Sequence, residues 1–381
     1  MSNAILLAPG PVQLHPEVQK ILSQPMIHHR TPEFDQVLSR VLKGLPLLFQ
    51  TTQPVFMHAS TGTGGMESLL VNLLSPQDEV LSIVSGKFGE RWAQMAEVFG
   101  ARVHRLNVEW GKAVDPALVD TFLRQNPQIR LVLTQATETS TATAHDIQSL
   151  GQVVAKTKAL FLVDGITAVG AYPMPMDEWH IDGLVAGSQK AVMLPTGLSF
   201  VSLSEKAWQV AQTARTPRFY FDLRQELKAN KNGETLFSSS VPLVKALDYI
   251  LGRLQQIGLP KHFRQLRRRA DFTRALIKQM GLQLFSSSPS DSVTAVIVPS
   301  AVNGAQLREH LEKKYQVTLM GGQDHLKGRI IRIGHMGYIQ DQDLLETIVR
   351  LAQALQDLNY PLDQSAIQSA AQDWLKKNVV S

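Results

Sequence analysis

The chain has 381 residues, a net charge of +5, 44% hydrophobic and 19% charged residues, and no cysteine. That length suits two domains around a sizeable interior, and the missing cysteines exclude disulfides, thiolate metal sites and a cysteine nucleophile. No apolar run reaches the roughly 20 residues that span a bilayer, and the start MSNAILLAPGP lacks the basic and apolar regions of a secretory signal, so a cytoplasmic location is expected.

The first three-fifths alternate short β-branched runs with helical patterns. Strands are expected at 54–60, 78–84, 102–106, 130–135, 159–164, 181–188 and 198–204. Helices are expected through MESLLVNLL, through FGERWAQMAEVFG, over 115–125 and through IQSLGQVVAKT. This alternation predicts an α/β fold, with βαβ units and a mostly parallel sheet covered on both faces. From about Pro242 the pattern changes to one long helical stretch ending near Met280. A strand at 294–299, a helix at 305–315, strands at 317–320 and 329–334, a helix at 341–355 and a terminal amphipathic helix follow. The expected division is an N-terminal segment 1–15, a large domain 16–250 and a smaller α+β domain 251–381.

In open α/β sheets, ligands sit at the carboxyl ends of the strands. After the first strand comes STGTGG (60–65), opening into a helix. Glycines admit close backbone approach, and a helix N-terminus offers free N–H groups to an anion. Thr61, Gly62 and Thr63 therefore read as a phosphate cradle or, more simply, as a tight connection. It is neither a Walker A loop nor a dinucleotide fingerprint. Asp164 ends the strand ALFLVD, where it is either a helix cap or the partner of a cation. Lys190 follows IDGLVAGSQ, where it is either a surface lysine or a Schiff-base nucleophile. Together these three match pyridoxal 5'-phosphate (PLP): an aldehyde for lysine, a phosphate for the cradle and a pyridinium nitrogen for a carboxylate. The basic run KHFRQLRRRA (261–270) has no interleaved aromatic platform, so it reads as a solvated helix face and no nucleic-acid partner is expected.

Beyond these parts, the sequence resembles the class V aminotransferases of PLP fold type I, with a large domain and a smaller C-terminal α+β domain. The likeness is to the alanine–glyoxylate and serine–pyruvate aminotransferases in particular. It runs from LLAPGPVQLHPEV through HASTGTGGMES, GKFGERWAQMAEVFGA, TETSTAT, LVDGITAVGAYPMPMDEWHIDGLVAGSQK and PTGLSFVSLSEKA to RIIRIGHMG. The resemblance implies that Lys190 carries the cofactor and shuttles the proton at the substrate Cα, while Asp164 pairs with the ring nitrogen. It implies that Ile166 and Phe88 sandwich the ring and that Thr139 meets its phenolic oxygen. Thr61, Gly62, Thr63 and Gln189 would hold the phosphate, with Ser240 reaching across a homodimer interface. Arg332 would bind the substrate carboxylate, and Gly10 would border the substrate pocket.

Two places depart from that pattern. Phe237 and Ser240 stand where the mammalian-type relatives carry a tyrosine and a threonine that reach the phosphate from the other subunit; Ser240 can still donate, and Phe237 cannot. IHHRTPEF (27–34) brings His28, His29 and Arg30, which either touch an anionic substrate or hold an interface. A metal on the adjacent histidines is not expected. The resulting expectation is a ping-pong transaminase for alanine or serine with glyoxylate or pyruvate. Aminoethylphosphonate, phosphoserine or aspartate donors are the alternatives within the family, and a non-catalytic subunit that retains the fold is the alternative outside it.

Overall fold

Runs that are apolar at every position, such as LFLVD, cannot face water on either side and belong at the centre of a parallel sheet. In a computed structural model, which describes residues 4–379, Leu160–Asp164 and Gly183–Gly187 are buried along their whole length. The first three residues of the expected 1–15 segment and the last two of the expected C-terminal domain lie outside the described residues. The main sheet has seven strands in the order Val55–His58, Ser199–Leu203, Gly183–Gly187, Leu160–Asp164, Ile129–Gln135, Glu79–Val84, Arg102–Asn107. All pairs are parallel except those made by Ser199–Leu203, which runs against both neighbours. The segment joining it to Gly183–Gly187 contains no helix. Without a crossover the chain must turn back antiparallel.

Apolar residues from both faces of the sheet build two cores, one around Phe161, Leu184 and Phe200, the other around Met66, Leu69 and Trp92. The helix Gly62–Leu73 is apolar almost all round, and it lies buried against the strands Gly183–Gly187 and Ser199–Leu203. Two helices absent from the sequence expectation precede the sheet, Pro16–Leu22 and Pro32–Phe49. Each starts with proline in its first turn, where the missing N–H is harmless. In the longer one Phe34, Val37, Leu38, Val41, Leu45 and Leu48 form the buried stripe.

The long helical stretch expected from Pro242 to Met280 is two helices, Val241–Ile257 and Leu259–Gln279. Gly258 separates them with a φ of +81°, a conformation that L side chains resist. The second helix links the two bodies of the protein. Leu259 and Leu266 enter the first core, and Phe272, Leu276 and Ile277 enter a third core under the small sheet Val293–Ile297, Ile330–Gly334, Met320–Gly321. The strand expected at 317–320 is two two-residue pieces, and the first of them, Val317–Thr318, pairs with Ile5–Leu6.

Buried hydroxyls cross the junction between the bodies. Thr137 Oγ1 lies 2.7 Å from both Tyr172 Oη and Ser290 Oγ, and Thr143 Oγ1 lies 2.9 Å from Ser286 Oγ. The basic run 261–270 is more than a solvated face. Arg267 pairs with Asp271 and Asp291, Arg268 pairs with Asp341, and Arg269 donates to the carbonyls of His335, Gly337 and Ile339. No helix among the described residues is long and apolar enough to cross a membrane.

Candidate active site

The parallel strands Glu79–Val84, Ile129–Gln135, Leu160–Asp164 and Gly183–Gly187 end on the same edge, so the residues that follow them converge there. Lys190, three residues past its strand, is buried, and its Nζ donates to the Pro9 carbonyl at 2.8 Å. Gly10 packs so closely that a Cβ on it would lie 2.5 Å from Lys190 Nζ. The N-terminal segment therefore closes over the lysine. Burial pushes the amine down to about 8, against the opposing pull of Asp164.

Asp164 is also buried, and its Oδ1 accepts the Ile166 N–H at 2.9 Å. Burial raises its carboxyl to about 7. The Ile166 N–H opposes that rise, Glu138 adds to it, and the Lys190 charge opposes it further. Ile166 packs against Gly62, where a Cβ would fall 2.6 Å from its Cδ1. The helix beginning at Gly62 has no side-chain cap, and the N–H groups of Gly62 and Thr63 have no partner among the described residues. Gln189 Oε1 is buried beside Gly187 and has no partner among the described residues.

Arg332 is buried in the strand Ile330–Gly334. Its Nε donates to the Gly321 carbonyl at 3.0 Å and its Nη1 to the Thr139 carbonyl at 2.9 Å. Among the described residues it makes no ion pair, and Nη2 has no partner. Burial lowers the guanidinium to about 10, far enough above neutrality to keep it charged. Thr139 Oγ1 shares a 2.8 Å hydrogen bond with Thr167 Oγ1. Phe88 opens the helix Lys87–Val98, and the Arg91 guanidinium lies 4.9 Å from its ring centre while Nη1 donates to Thr63 Oγ1 at 3.1 Å.

Other expected residues stand apart from Lys190 in this chain. His28 and His29 stack on each other at 4.5 Å, and Arg30 pairs with Glu234 at 2.8 Å. No hydrogen bond or ion pair among the described residues joins them to Lys190, Asp164 or Arg332. Ser240 precedes the helix Val241–Ile257 and lines a small cavity with His58, Ala59, Tyr220 and Phe237. Phe237 stacks flat on Tyr220 at 4.8 Å. Among the described residues no group of three or more His, Asp or Glu side chains is placed to hold a metal ion.

Several neighbours of the site went unnoticed in the sequence. Glu138 and Gln135 are fully buried next to Asp164, with Gln135 directly beside it in strand register. Thr167 meets Thr139, and Pro9 meets Lys190. A carboxylate inside TETSTAT, just past an apolar strand, was the one available signal for Glu138.

These residues fit PLP. A buried lysine of lowered pKa, a buried strand-end carboxylate without a cation bound to it, and an uncapped helix N-terminus are the three receptors that its aldehyde, ring nitrogen and phosphate require. The fold and site define a pyridoxal-phosphate-dependent transaminase of fold type I. Residues 15–337 match the family described as aminotransferase class-V, and the chain belongs to that family. It is 38% identical over 365 residues to a protein named soluble hydrogenase, small subunit, from Synechococcus sp., with 94% of each chain covered. It is 33% identical to the L-aspartate–glyoxylate aminotransferase of Paracoccus denitrificans, covering 99% of this chain and 97% of that one. Among solved structures, ureidoglycine–glyoxylate aminotransferase from Bacillus subtilis superposes with a TM-score of 0.92 at 28% identity, over 99% of both chains.

Proposed function

We propose that this enzyme transfers the amino group of a small amino acid, alanine or serine first, to glyoxylate or pyruvate. The single observation that carries the reading is the buried Lys190 amine held between Pro9 and the charges of Asp164 and Arg332. Bound pyridoxal phosphate supplies an aldehyde for the amino group and a ring that takes up the electron pair left when the substrate Cα–H bond breaks. Lys190 Nζ, pushed toward its neutral form, would hold the cofactor through its aldehyde and would serve as the base for the proton on the substrate Cα. Asp164 keeps a proton on the ring nitrogen, since a positive charge there offsets the cost of its own burial. The N–H groups of Gly62 and Thr63, with Thr61 and Gln189, hold the phosphate. Ile166 and Phe88 hold the ring faces, and Thr139 holds the phenolic oxygen. Arg332 offers Nη2 to the α-carboxylate that donor and acceptor share, and its two carbonyl contacts aim the guanidinium. Gly10 and Pro9 shut water away from Lys190.

Glyoxylate as acceptor is supported by the names of two of the similar proteins, and aspartate as an alternative donor by one of them. Ser240 and Phe237 are read as residues of a homodimer interface, with Ser240 reaching the partner's phosphate. The hydrogenase name on the Synechococcus relative has no counterpart in this chain's chemistry, which offers no thiolate for a metal centre. The test is a panel of amino acids against glyoxylate, pyruvate and 2-oxoglutarate. Turnover of alanine or serine with glyoxylate supports the proposal. Turnover of neither with any acceptor rejects it.

A further inference from the structure

Glu138 is completely buried, and the chemistry above does not use it. A carboxylate without water is costly unless donors surround it. Its Oε2 accepts the backbone N–H groups of Phe88 and Gly89, each at 3.1 Å. Its Oε1 accepts the Ser140 N–H at 3.1 Å and the Ser140 hydroxyl at 2.5 Å. The same hydroxyl accepts the Lys87 N–H at 3.1 Å. A helix begins with N–H groups that find no partner inside it. Here those of the first turn, on Lys87, Phe88 and Gly89, all end on Glu138 or Ser140. The approach is close enough that a Cβ on Gly86 would lie 2.4 Å from Ser140 Oγ and 2.5 Å from Glu138 Cδ. Burial pushes the Glu138 carboxyl up, and the Ser140 hydroxyl and the N–H groups of Gly89, Ser140 and Phe88 oppose that rise. Among the described residues it forms no ion pair, and the positive end of the helix dipole and the more distant Arg332 charge face it.

The two helix N-termini that follow the strands Val55–His58 and Glu79–Val84 are therefore unlike each other. The one at Gly62 is open to an anion, while the one at Lys87 is filled by the protein's own carboxylate. What that carboxylate grips is the backbone of Phe88 on one side and of Ser140, next to Thr139, on the other. Arg332 in turn donates to the Thr139 carbonyl. We propose that Glu138 is a positioning residue for the cofactor ring: by tying the first turn of the helix Lys87–Val98 to the segment carrying Thr139, it sets the place of the Phe88 side chain. This rests on the reading of Phe88 and Thr139 as ring neighbours.

The test uses the holoenzyme and three readouts: the dissociation constant of PLP, the visible circular dichroism of the bound cofactor, and the melting temperature. Glu138→Gln keeps the shape but turns an amide N–H₂ toward N–H donors. It should weaken PLP binding about tenfold, the scale of losing one or two buried hydrogen bonds, and should change the dichroism. Asp182→Asn is the control. Asp182 is a buried carboxylate accepting Phe161 N–H at 2.9 Å and Ser204 Oγ at 2.6 Å at the opposite end of the strands, so its loss should lower the melting temperature and leave both cofactor readouts alone. In a Phe88→Ala background the effect of Glu138→Gln on PLP affinity should shrink below about threefold, because residues acting through one another are not additive. Ser140→Ala, which removes a single hydroxyl, should shift both cofactor readouts the same way by less and serves if Glu138→Gln does not fold. Parental PLP affinity and dichroism in Glu138→Gln, or an undiminished loss in the Phe88→Ala background, overturns the proposal. A Phe88→Ala enzyme with parental affinity and dichroism overturns instead the ring-neighbour reading beneath it.

Discussion

At the scale of single residues, the site is governed by burial of charge. Lys190 is pushed down to about 8, so its neutral, nucleophilic fraction grows as pH passes that value. The rate at which cofactor-free protein captures PLP should therefore rise with a midpoint near 8, well below that of an exposed lysine. Borohydride reduction followed by peptide mapping should place the cofactor on Lys190, and label on any other lysine refutes the assignment. Asp164 behaves in the opposite sense. Its folded value of about 7 lies above the usual 3.8, so between those values the folded state binds the proton more tightly than the unfolded one. Its contribution to the stability of cofactor-free protein thus falls as pH rises from about 4 to about 7. Cofactor-free Asp164→Asn should match the parent in denaturant melts near pH 4 and be the more stable of the two above pH 7. With PLP bound it should lose most activity, because an amide cannot stabilise a charged ring nitrogen. Arg332→Lys should raise KM for every amino acid and oxo acid alike, by an amount equivalent to about 2–5 kcal/mol. The lost carbonyl contact should lower stability by only about 1 kcal/mol. Unchanged KM values would remove Arg332 from the site.

The strands of the main sheet were legible because β-branched runs of five to seven residues with no helical periodicity leave little choice. The helix Pro32–Phe49 was equally periodic, yet an internal Pro46 and the polar flanks around IHHRTPEF hid it. The long helical stretch reads as one because both sides are good helix, although Gly258 followed by Pro260 is a stop-and-start signal, and the φ of +81° at Gly258 makes the turn. At the junction of the two bodies, buried hydroxyls lie beside a small apolar cluster that includes Ala142, Val293, Ala295 and Ile330. Thr137→Val keeps the shape but abandons Tyr172 Oη and Ser290 Oγ. Two buried hydrogen bonds at about 1 kcal/mol each predict a loss of roughly 2 kcal/mol in denaturant unfolding. An unchanged midpoint would show that the junction is held elsewhere.

For the molecule as a whole, the surface beside Ser240 is the informative one. Phe219 is 82% exposed, and Tyr220 stacks on Phe237 next to it. Such an aromatic patch is unusual on a surface that faces only water. If it is the homodimer interface proposed here, Phe219→Asp should shift sedimentation toward monomer at low concentration and lower activity in the same proportion. An active monomer would break the link between dimerisation and the site. Within one chain, the two bodies already cooperate: Arg332 from the small sheet reaches Thr139, and the N-terminal segment crosses from its pairing with Val317–Thr318 to cover Lys190.

Readable from the chain alone were the succession of strands, the residue types at their carboxyl ends, and hence Asp164, Lys190 and the Gly62 turn as a group suited to one cofactor. Those signals are local: a run of apolar residues marks a strand, and whatever follows it lies at the edge of a sheet. Which of those edges meet is settled by packing in three dimensions. Lys190 bonds to a carbonyl 181 residues away and Arg332 to one 193 residues away. Glu138, which looks in sequence like any polar residue of a loop, is enclosed by a helix start 50 residues earlier. Contacts of that separation follow from strand order and from the packing of one body on another, and neither leaves a periodic trace in the chain.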